Sequence, residues 1–398
     1  MTGSILTLNA GSSSLKFALF DGSTLTAAVR GEVEDLGDAP HLLARDAEGA
    51  VLAEQRWPAG QDHPFTTVLG ALLAFADAHL GSNGLAAVGH RVVHGGAGHV
   101  APERVTPDLL TALDGLMPLD PLHMPHNIAP MRAVAAARPG LPQVACFDTA
   151  FHHTLPPVAR MFALPRAVAD AGVRRYGFHG LSYEYIASCL PAVSPGLASG
   201  RVIVAHLGAG ASLCALRAGR SIETTTGFSA LDGLMMATRC GSLDPGVILY
   251  LGQQGHSFAE IEDMLYRRSG LLGVSGVSGD VRVLLASGDP HAREALELFS
   301  YRVAAHTGAL ASALGGLDGL VFTAGVGEHA APVRAAVCAR LAWLGVRLDD
   351  AANAAGAGLV SLPDSPVEVR VIPTDEEAMI ARHTRAAVTA AAGQEQAA

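Results

Sequence analysis

Residues 5–20 read ILTLNAGSSSLKFALF, and how this stretch folds decides the architecture. Ile5 to Leu8 is an apolar strand, NAGSSS is a turn of small and hydroxyl-bearing residues, and Leu15 to Phe20 is a second apolar strand closed by Asp21-Gly22. Two strands joined in this way predict a hairpin. The plan returns in the second half of the chain at VIVAHLGAGASLCAL, residues 202–216, followed by Ala218-Gly219. An offset of 197 or 198 residues lays Gly11 on Gly208, Ser14 on Ser212 and Leu15 on Leu213. Two strand-turn-strand units half a chain apart predict a duplicated domain, each copy presenting one glycine-containing turn to a shared cleft.

The rest of the chain fits that frame. Its 398 residues suit two domains of about 150 to 200 residues each. A third segment, LVFTA from Leu320, followed by GVGEH and a helical stretch from Pro332 to Leu344, predicts strand, glycine turn and helix, a junction whose backbone N–H groups can face a nucleotide. Helical periodicity marks Pro64 to Leu80, His126 to Ala137 and His291 to Leu314, with strands at Ala86 to Val93 and Gln143 to Phe147 between them, so the class is α/β. The last fourteen residues, RAAVTAAAGQEQAA, are expected to finish a helix and fray.

Composition narrows the function. Apolar residues make up 49% and charged residues 16%, with 45 glycines, which suits a folded enzyme without long disordered stretches. A net charge of -10 provides no basic field for nucleic acid or an anionic membrane, so any phosphate contact has to be local. No charged leader and no run of about 18 apolar residues is visible, and a cytoplasmic protein is expected. The five cysteines, Cys146, Cys189, Cys214, Cys240 and Cys338, form no CxxC pair and are expected to be small apolar residues.

Polar residues sit at the carboxyl ends of the predicted strands, where ligands gather in open α/β sheets. Asn9, Ser12, Ser14 and Lys16 place an amide, two hydroxyls and an ammonium on one turn, groups that suit phosphate oxygens and hydrated Mg²⁺; a serine turn satisfying its own backbone is the other reading. Arg91 and Arg239 can screen one anion from another: two unit charges 4 Å apart repel by about 4 kcal/mol at an effective dielectric near 20, and guanidinium forks relieve this. Asp148, after Gln143 to Phe147, is a carboxylate for orienting substrate or holding metal, or a cap for the next helix. Asp375, Glu376 and Glu377 follow another apolar strand and are a solvated helix start or a Mg²⁺ site. The histidine pairs 90/94, 123/126 and 152/153 raise a zinc hydrolase, but HRVVH lacks the Glu of the metalloprotease helix. His179 and His206 are better read as hydrogen-bond donors to phosphate.

Taken together, LNAGSSSLKF, GHRVVHGG, PLHMPHN, FDTAFH, RRYGFHGLS, HLGAGASL, TRCGSLDPG, GVSGDVR, AGVGEH and PTDEEAMIA resemble the acetate kinase signatures in order, from Asn9 to about Thr384. The resemblance implies duplicated ribonuclease-H-like (actin-like ATPase) domains with an ATP cleft between them: an acyl and phosphate-side domain over 1–150, completed by a helix over 378–398, and a nucleotide-binding domain over 151–377. It implies Mg²⁺-dependent, reversible phosphoryl transfer from ATP to acetate, giving ADP and acetyl phosphate, an entry to acetyl-CoA. Mn²⁺ is an alternative cation, propionate an alternative acceptor, and the family members are homodimers.

Residue by residue, the resemblance gives Asn9 and Glu376 to the metal, and Lys16, Ser12 and Ser14 to phosphates. Arg91 goes to the acyl substrate, Asp148 to acid/base or orienting work, and His179 and Arg239 to the transferring phosphoryl group. Val93, Leu122 and Phe178 go to the methyl pocket. The nucleotide takes His206, Leu207, Gly208, Ala209 and Gly210, then Asp280, Val281 and Arg282, then Gly325, Val326, Gly327, Glu328 and His329. Three positions depart from the family pattern: Ala209 and His329 each stand where it has Asn, and Ala230 stands where it has a pocket-lining Pro. The first two bear on nucleotide affinity and choice, the third on the size of the acyl pocket.

Overall fold

The structure is a computed structural model that describes residues 2–11, 13–60, 63–80 and 84–397. It divides into two units, Met1–Phe151 with Asp375–Ala398, and His152–Thr374.

In the first unit the opening segment is the hairpin expected. β1 (Ser4–Ala10) and β2 (Leu15–Asp21) are antiparallel, with Asn9 opposite Lys16 and Ala10 opposite Leu15. β3 (Ala27–Glu34), β4 (His41–Asp46) and β5 (Val51–Arg56) continue the meander, while β6 (Leu85–Val92) joins the other side of β1 in parallel, followed by β8 (Gln143–Phe147) and the short edge strand β7 (Glu103–Arg104). The order is β5-β4-β3-β2-β1-β6-β8-β7. One face is covered by helix Phe65–His79, whose Val68, Leu69, Leu72, Leu73 and Ala76 recur at helical spacing and pack with Leu6, Leu8, Phe17 and Leu19. Each such fully buried side chain is worth about 1.5–3 kcal/mol.

Helix Glu376–Ala397 packs against β1, β6 and β8. Gly89 makes that seat. A Cβ there would lie 2.2 Å from Thr384 Oγ1 and 2.6 Å from Ile380 Cγ2. The helix expected in the last fourteen residues is present and runs to Ala397, in keeping with the alanine-rich sequence and its high helix propensity.

The second unit repeats the plan. β9 (Arg201–Leu207) and β10 (Ala211–Arg217) form a hairpin, β11 (Arg220–Thr224) extends it, and β12 (Gly319–Thr323) and β13 (Glu368–Val371) join β9 in parallel, in the order β11-β10-β9-β12-β13. That is the arrangement of β3-β2-β1-β6-β8, antiparallel on one side of the first strand and parallel on the other. The duplication suggested by two hairpins therefore extends over five strands. Helix Pro290–Leu314 supplies Phe299, Val303, Leu310 and Leu314 to a core with Ile203, Leu213, Leu320 and Phe322.

One local expectation is corrected. GVGEH is not a glycine turn, because β12 passes at Thr323 directly into helix Ala324–His329, followed by helix Ala331–Arg340. Ala324 adopts a left-handed φ of 64° and makes the bend in one residue, so the glycines that follow are free to be helical.

Candidate functional site

In the first unit, three strand ends and one helix start meet. Asn9 ends β1, Arg91 lies near the end of β6, Asp148 follows β8, and Glu376 opens the last helix. Arg91 donates from Nη2 and Nε to Asp148 Oδ2 at 2.6 and 3.1 Å, and from Nη1 to Asn9 Oδ1 at 3.1 Å. Asn9 Nδ2 in turn donates to Glu376 Oε2 at 3.2 Å and Glu377 Oε1 at 3.4 Å. Arg91 Nε lies 3.9 Å from Glu376 Oε2.

The electrostatics follow from burial and like charge. Burial opposes the Arg91 charge, but the carboxylates of Asp148 and Glu376 outweigh it and hold the guanidinium more firmly protonated than usual. Burial pushes Glu376 up to about 7; Arg91 opposes the rise, and Asp148 and Glu377 add to it. Asp148 has no exposed side-chain surface, and its Oδ1 is buried with no hydrogen-bond partner among the described residues. Asp148 caps no regular helix, since the next element is a short 3₁₀ turn over Ala150–Thr154.

These oxygens are hard donors that fit Mg²⁺ or Mn²⁺. Among the described residues no group of three or more His, Cys, Asp or Glu forms a ready metal cage.

The remaining first-unit candidates are placed as follows. Ser14 accepts the Gly11 N–H through its own carbonyl at 2.8 Å, Lys16 is exposed on β2, and Ser12 lies outside the described residues. Val93 is buried and Leu122 half-buried. Val93 is fixed by a residue that was given no role above: buried Asn127 accepts the Val93 N–H at 2.8 Å and donates to the Ala10 carbonyl at 2.8 Å, tying the strand carrying Asn9 to the strand carrying Arg91. The only sign of it in sequence was an amide in a largely apolar helix.

In the second unit, Gly208, Ala209, Asp280, Val281, Arg282, Gly325, Val326 and His329 line one cavity of about 490 Å³, together with Ala237, Gly279, Leu285 and Ala330. Asp280 caps helix Val281–Ala286 through the Arg282 N–H at 2.8 Å and pairs with the Arg282 guanidinium at 2.6 Å. Gly327 is buried beneath the helix, and Leu207 is wholly within the core; neither lines the cavity. Glu328 faces Thr374, accepting its N–H at 3.1 Å.

His179 and His206 form a stacked pair with ring centroids 4.3 Å apart and planes 16° apart. Two imidazolium charges at that distance would repel by about 4 kcal/mol at an effective dielectric near 20. His179 caps helix Gly180–Val193 in a left-handed conformation, φ 57°. Its Nδ1 lies 2.7 Å from Ser212 Oγ, and Ser212 Oγ also bonds the hydroxyl of Tyr183. His206 Nδ1 lies 2.8 Å from Ser182 Oγ, which bonds Thr374 Oγ1 at 2.9 Å. Arg239 is half-buried and donates from Nη1 to the Ala230 carbonyl at 3.0 Å. Gly270 lets helix Gly270–Ser275 come up against that loop; a Cβ there would lie 2.2 Å from the Met236 carbonyl and 2.8 Å from that of Arg239.

His90, His94 and His152 are held in structural hydrogen bonds. Burial pushes His90 and His94 down to about 4, with Gln143 and Asp120 respectively opposing the fall. His90 Nε2 bonds Gln143 at 2.8 Å, and His94 Nδ1 accepts the Gly96 N–H at 2.8 Å. His152 bonds Ser221 and the Phe178 carbonyl at 2.8 and 2.9 Å. Buried Phe178 thus has its backbone held from both sides, since its N–H goes to Thr226 Oγ1 at 3.0 Å.

Family comparison is decisive here. The Acetokinase family model matches residues 4–382. The chain belongs to the acetokinase family. The acetate kinase of Rhodopseudomonas palustris is 55% identical over 96% of this chain and 98% of its own. Among solved structures, the Porphyromonas gingivalis acetate kinase is 35% identical with a TM-score of 0.85, covering 97% of this chain and 99% of its own. A propionate kinase from Francisella tularensis is 36% identical with a TM-score of 0.89, covering 96% and 99%. The duplicated actin-like fold is thereby shown. Within this acetokinase, two of the three departures from the family pattern, Ala209 and His329, line the 490 Å³ cavity, and the third, Ala230, offers the carbonyl that anchors Arg239.

Proposed function

We propose that this acetokinase transfers the γ-phosphoryl group of ATP reversibly to acetate, with Mg²⁺ as the resident cation. The observation that carries the reading is the Arg91 cluster: a guanidinium already shared between a buried carboxylate and an amide that also faces Glu376. It supports a site where one anion must be brought to another.

In that reading Arg91 holds the acetate carboxylate while Asp148 fixes the guanidinium plane. Because the acceptor is already ionised at neutral pH, Asp148 orients rather than removes a proton. Val93, Leu122 and Phe178 receive the methyl group. Lys16 and the Ser12–Ser14 turn bind phosphate oxygens; Arg239 and the Nε2 edge of His179 take up charge that builds on the transferring group. Asn9 and Glu376 would hold Mg²⁺, which would supply positive charge to offset that of the phosphates. The cavity lined by Gly208, Ala209, Asp280 and Gly325 suits the nucleoside, its volume falling in the range of small-molecule sites. The first unit accordingly serves the acyl and phosphate side, and the second the nucleotide.

The test is acyl phosphate formed from Mg-ATP and trapped with hydroxylamine across a panel of short-chain acids. Hydroxamate that rises with acetate supports the reading; ATP turnover indifferent to any acid overturns it. Propionate as the better acceptor is the second reading, favoured by the smaller Ala230.

We also infer a cytoplasmic homodimer. Among the described residues no helix is long and apolar enough to cross a membrane. Helix Pro245–Gln253, sequence PGVILYLGQ, has no buried residue, and Leu249, Tyr250 and nearby Phe258 are 67%, 58% and 89% exposed. So apolar a helix calls for a cover, and a second copy of the chain provides one. Sedimentation at low concentration, with Leu249→Glu as the variant, tests it; an unchanged mass for wild type and variant rejects it.

A further inference from the structure

We infer that Tyr183 and Ser212 are positioning residues that set the tautomer of His179, a role that rests on the phosphoryl-transfer reading above. The geometry is a chain of three groups. The Tyr183 hydroxyl bonds Ser212 Oγ, and Ser212 Oγ lies 2.7 Å from His179 Nδ1. Tyr183 and Ser212 are both fully buried, so water does not set the direction of these bonds.

The acidities fix that direction. A phenol is a stronger acid than an aliphatic alcohol, so Tyr183 donates to Ser212 Oγ. A serine oxygen that has accepted a hydrogen bond is a better donor. Its single proton then points to the imidazole, the most basic group in the chain, and His179 Nδ1 accepts it. An imidazole that accepts at Nδ1 carries its proton on Nε2.

The Nε2 edge is turned to the glycine loop. A Cβ placed on Gly210 would lie 3.2 Å from His179 Nε2, so the ring edge that meets the loop between β9 and β10 is an N–H donor. A transferring phosphoryl group carries only acceptors. The opposite tautomer would present a lone pair to it and repel it. His206, stacked on His179, has the same wiring: its Nδ1 is bonded by Ser182, itself bonded by Thr374, and its Nε2 is 3.8 Å from a Cβ built on Gly208. Two stacked rings held as neutral tautomers avoid the repulsion that two charged ones would suffer.

Nitrogen-15 NMR on histidine-labelled enzyme reads the tautomer without any turnover. In the wild type, His179, assigned by comparison with His179→Gln, is expected to show an unprotonated Nδ1 and a protonated Nε2; a protonated Nδ1 overturns the inference. In Tyr183→Phe and Ser212→Ala the two tautomers are expected to mix. Their kcat in the hydroxamate assay is expected to fall at least tenfold, by analogy with other enzymes where losing the tautomer-setting partner cripples a catalytic imidazole, with KM for ATP and acetate within about twofold. Ser212→Thr, which keeps the hydroxyl, is expected to recover most of kcat. Equal loss in Ser212→Thr and Ser212→Ala, or a raised KM at unchanged kcat, points to packing and overturns the role. Absence of acetate-dependent hydroxamate in the wild type would sink the phosphoryl-transfer reading and leave the NMR result standing.

Discussion

Arg91 Nη2 and Asp148 Oδ2 are 2.6 Å apart, and the second carboxylate oxygen of Asp148 is buried with no partner among the described residues. One oxygen therefore aims the guanidinium while the other remains for a ligand. Asp148→Asn keeps the shape and removes the charge; kcat for acetate is expected to fall by at least 100-fold, about 2.7 kcal/mol of transition-state stabilisation. Steady-state kinetics check it, and a variant within tenfold of wild type would leave Asp148 with a structural task only.

If Glu376 holds the cation, as proposed, cation binding is expected to depend on pH. With its carboxyl pushed up to about 7 by burial, Mg²⁺ has to displace a proton below that pH. Apparent Mg²⁺ affinity should rise by up to tenfold per pH unit towards 7 and level off above it, measured by titration at several pH values. The same shift affects folding without metal. A carboxyl whose folded pKa exceeds its ordinary 4.5 binds its proton more tightly in the fold, so the contribution of Glu376 to stability is fully present below about 4.5 and is lost as pH rises through about 7. Asp148→Asn should move the step down and Arg91→Ala should move it up, because those two charges act on Glu376 in opposite senses.

Acyl preference is expected to follow Ala230. Ala230→Pro should raise the acetate-over-propionate ratio of kcat/KM, within the roughly 10- to 200-fold that one methylene allows. Since the Ala230 carbonyl anchors Arg239 at 3.0 Å, kcat for acetate tells whether that anchor survives the ring. An unaltered ratio removes Ala230 as the determinant.

Nucleotide choice is expected to respond at Ala209 and His329, both on the wall of the large cavity. Restoring the family amide adds a hydrogen-bonding group in Ala209→Asn and exchanges an imidazole for an amide in His329→Asn; one hydrogen bond gained is worth about 0.5–1.5 kcal/mol, or roughly 2- to 13-fold in KM for ATP. Competition between ATP and GTP in the hydroxamate assay measures it, and identical preference in both variants would show that neither position reads the base.

Gly89 is expected to be intolerant. In Gly89→Val the first added carbon already meets Thr384 and Ile380 inside contact distance, which should cost about 1–3 kcal/mol and unseat the helix that begins at Glu376. Thermal unfolding and the Mg²⁺ requirement should worsen together; a lower melting temperature with unchanged Mg²⁺ dependence would separate the helix from the metal.

The repeated hairpins were readable because strand alternation and a small-residue turn are local, and so was the grouping of polar residues at strand ends. Five-strand equivalence was not, as parallel pairing of β1 with β6 and of β9 with β12 has no local signature. GVGEH read as a turn because two glycines usually signal one, whereas the bend falls on Ala324, whose left-handed φ no propensity announces. Asn127, Ser212 and Tyr183 escaped for the same reason: an amide or hydroxyl in an apolar stretch gains its meaning only from the partner the fold brings to it. Asn9, Arg91, Asp148 and Glu376 were legible singly; their shared hydrogen bonds were not.

The helix from Glu376 belongs to the unit built around β1, although the whole of the other unit intervenes in the chain. A nascent polypeptide leaving the ribosome therefore has every residue of the second-unit cavity while the strand bearing Asn9 still waits for its partner. A chain that stopped before residue 375 would lack the carboxylate that Asn9 faces, so the hydrogen-bonded cluster around Arg91 is complete only once the last segment has returned to β1.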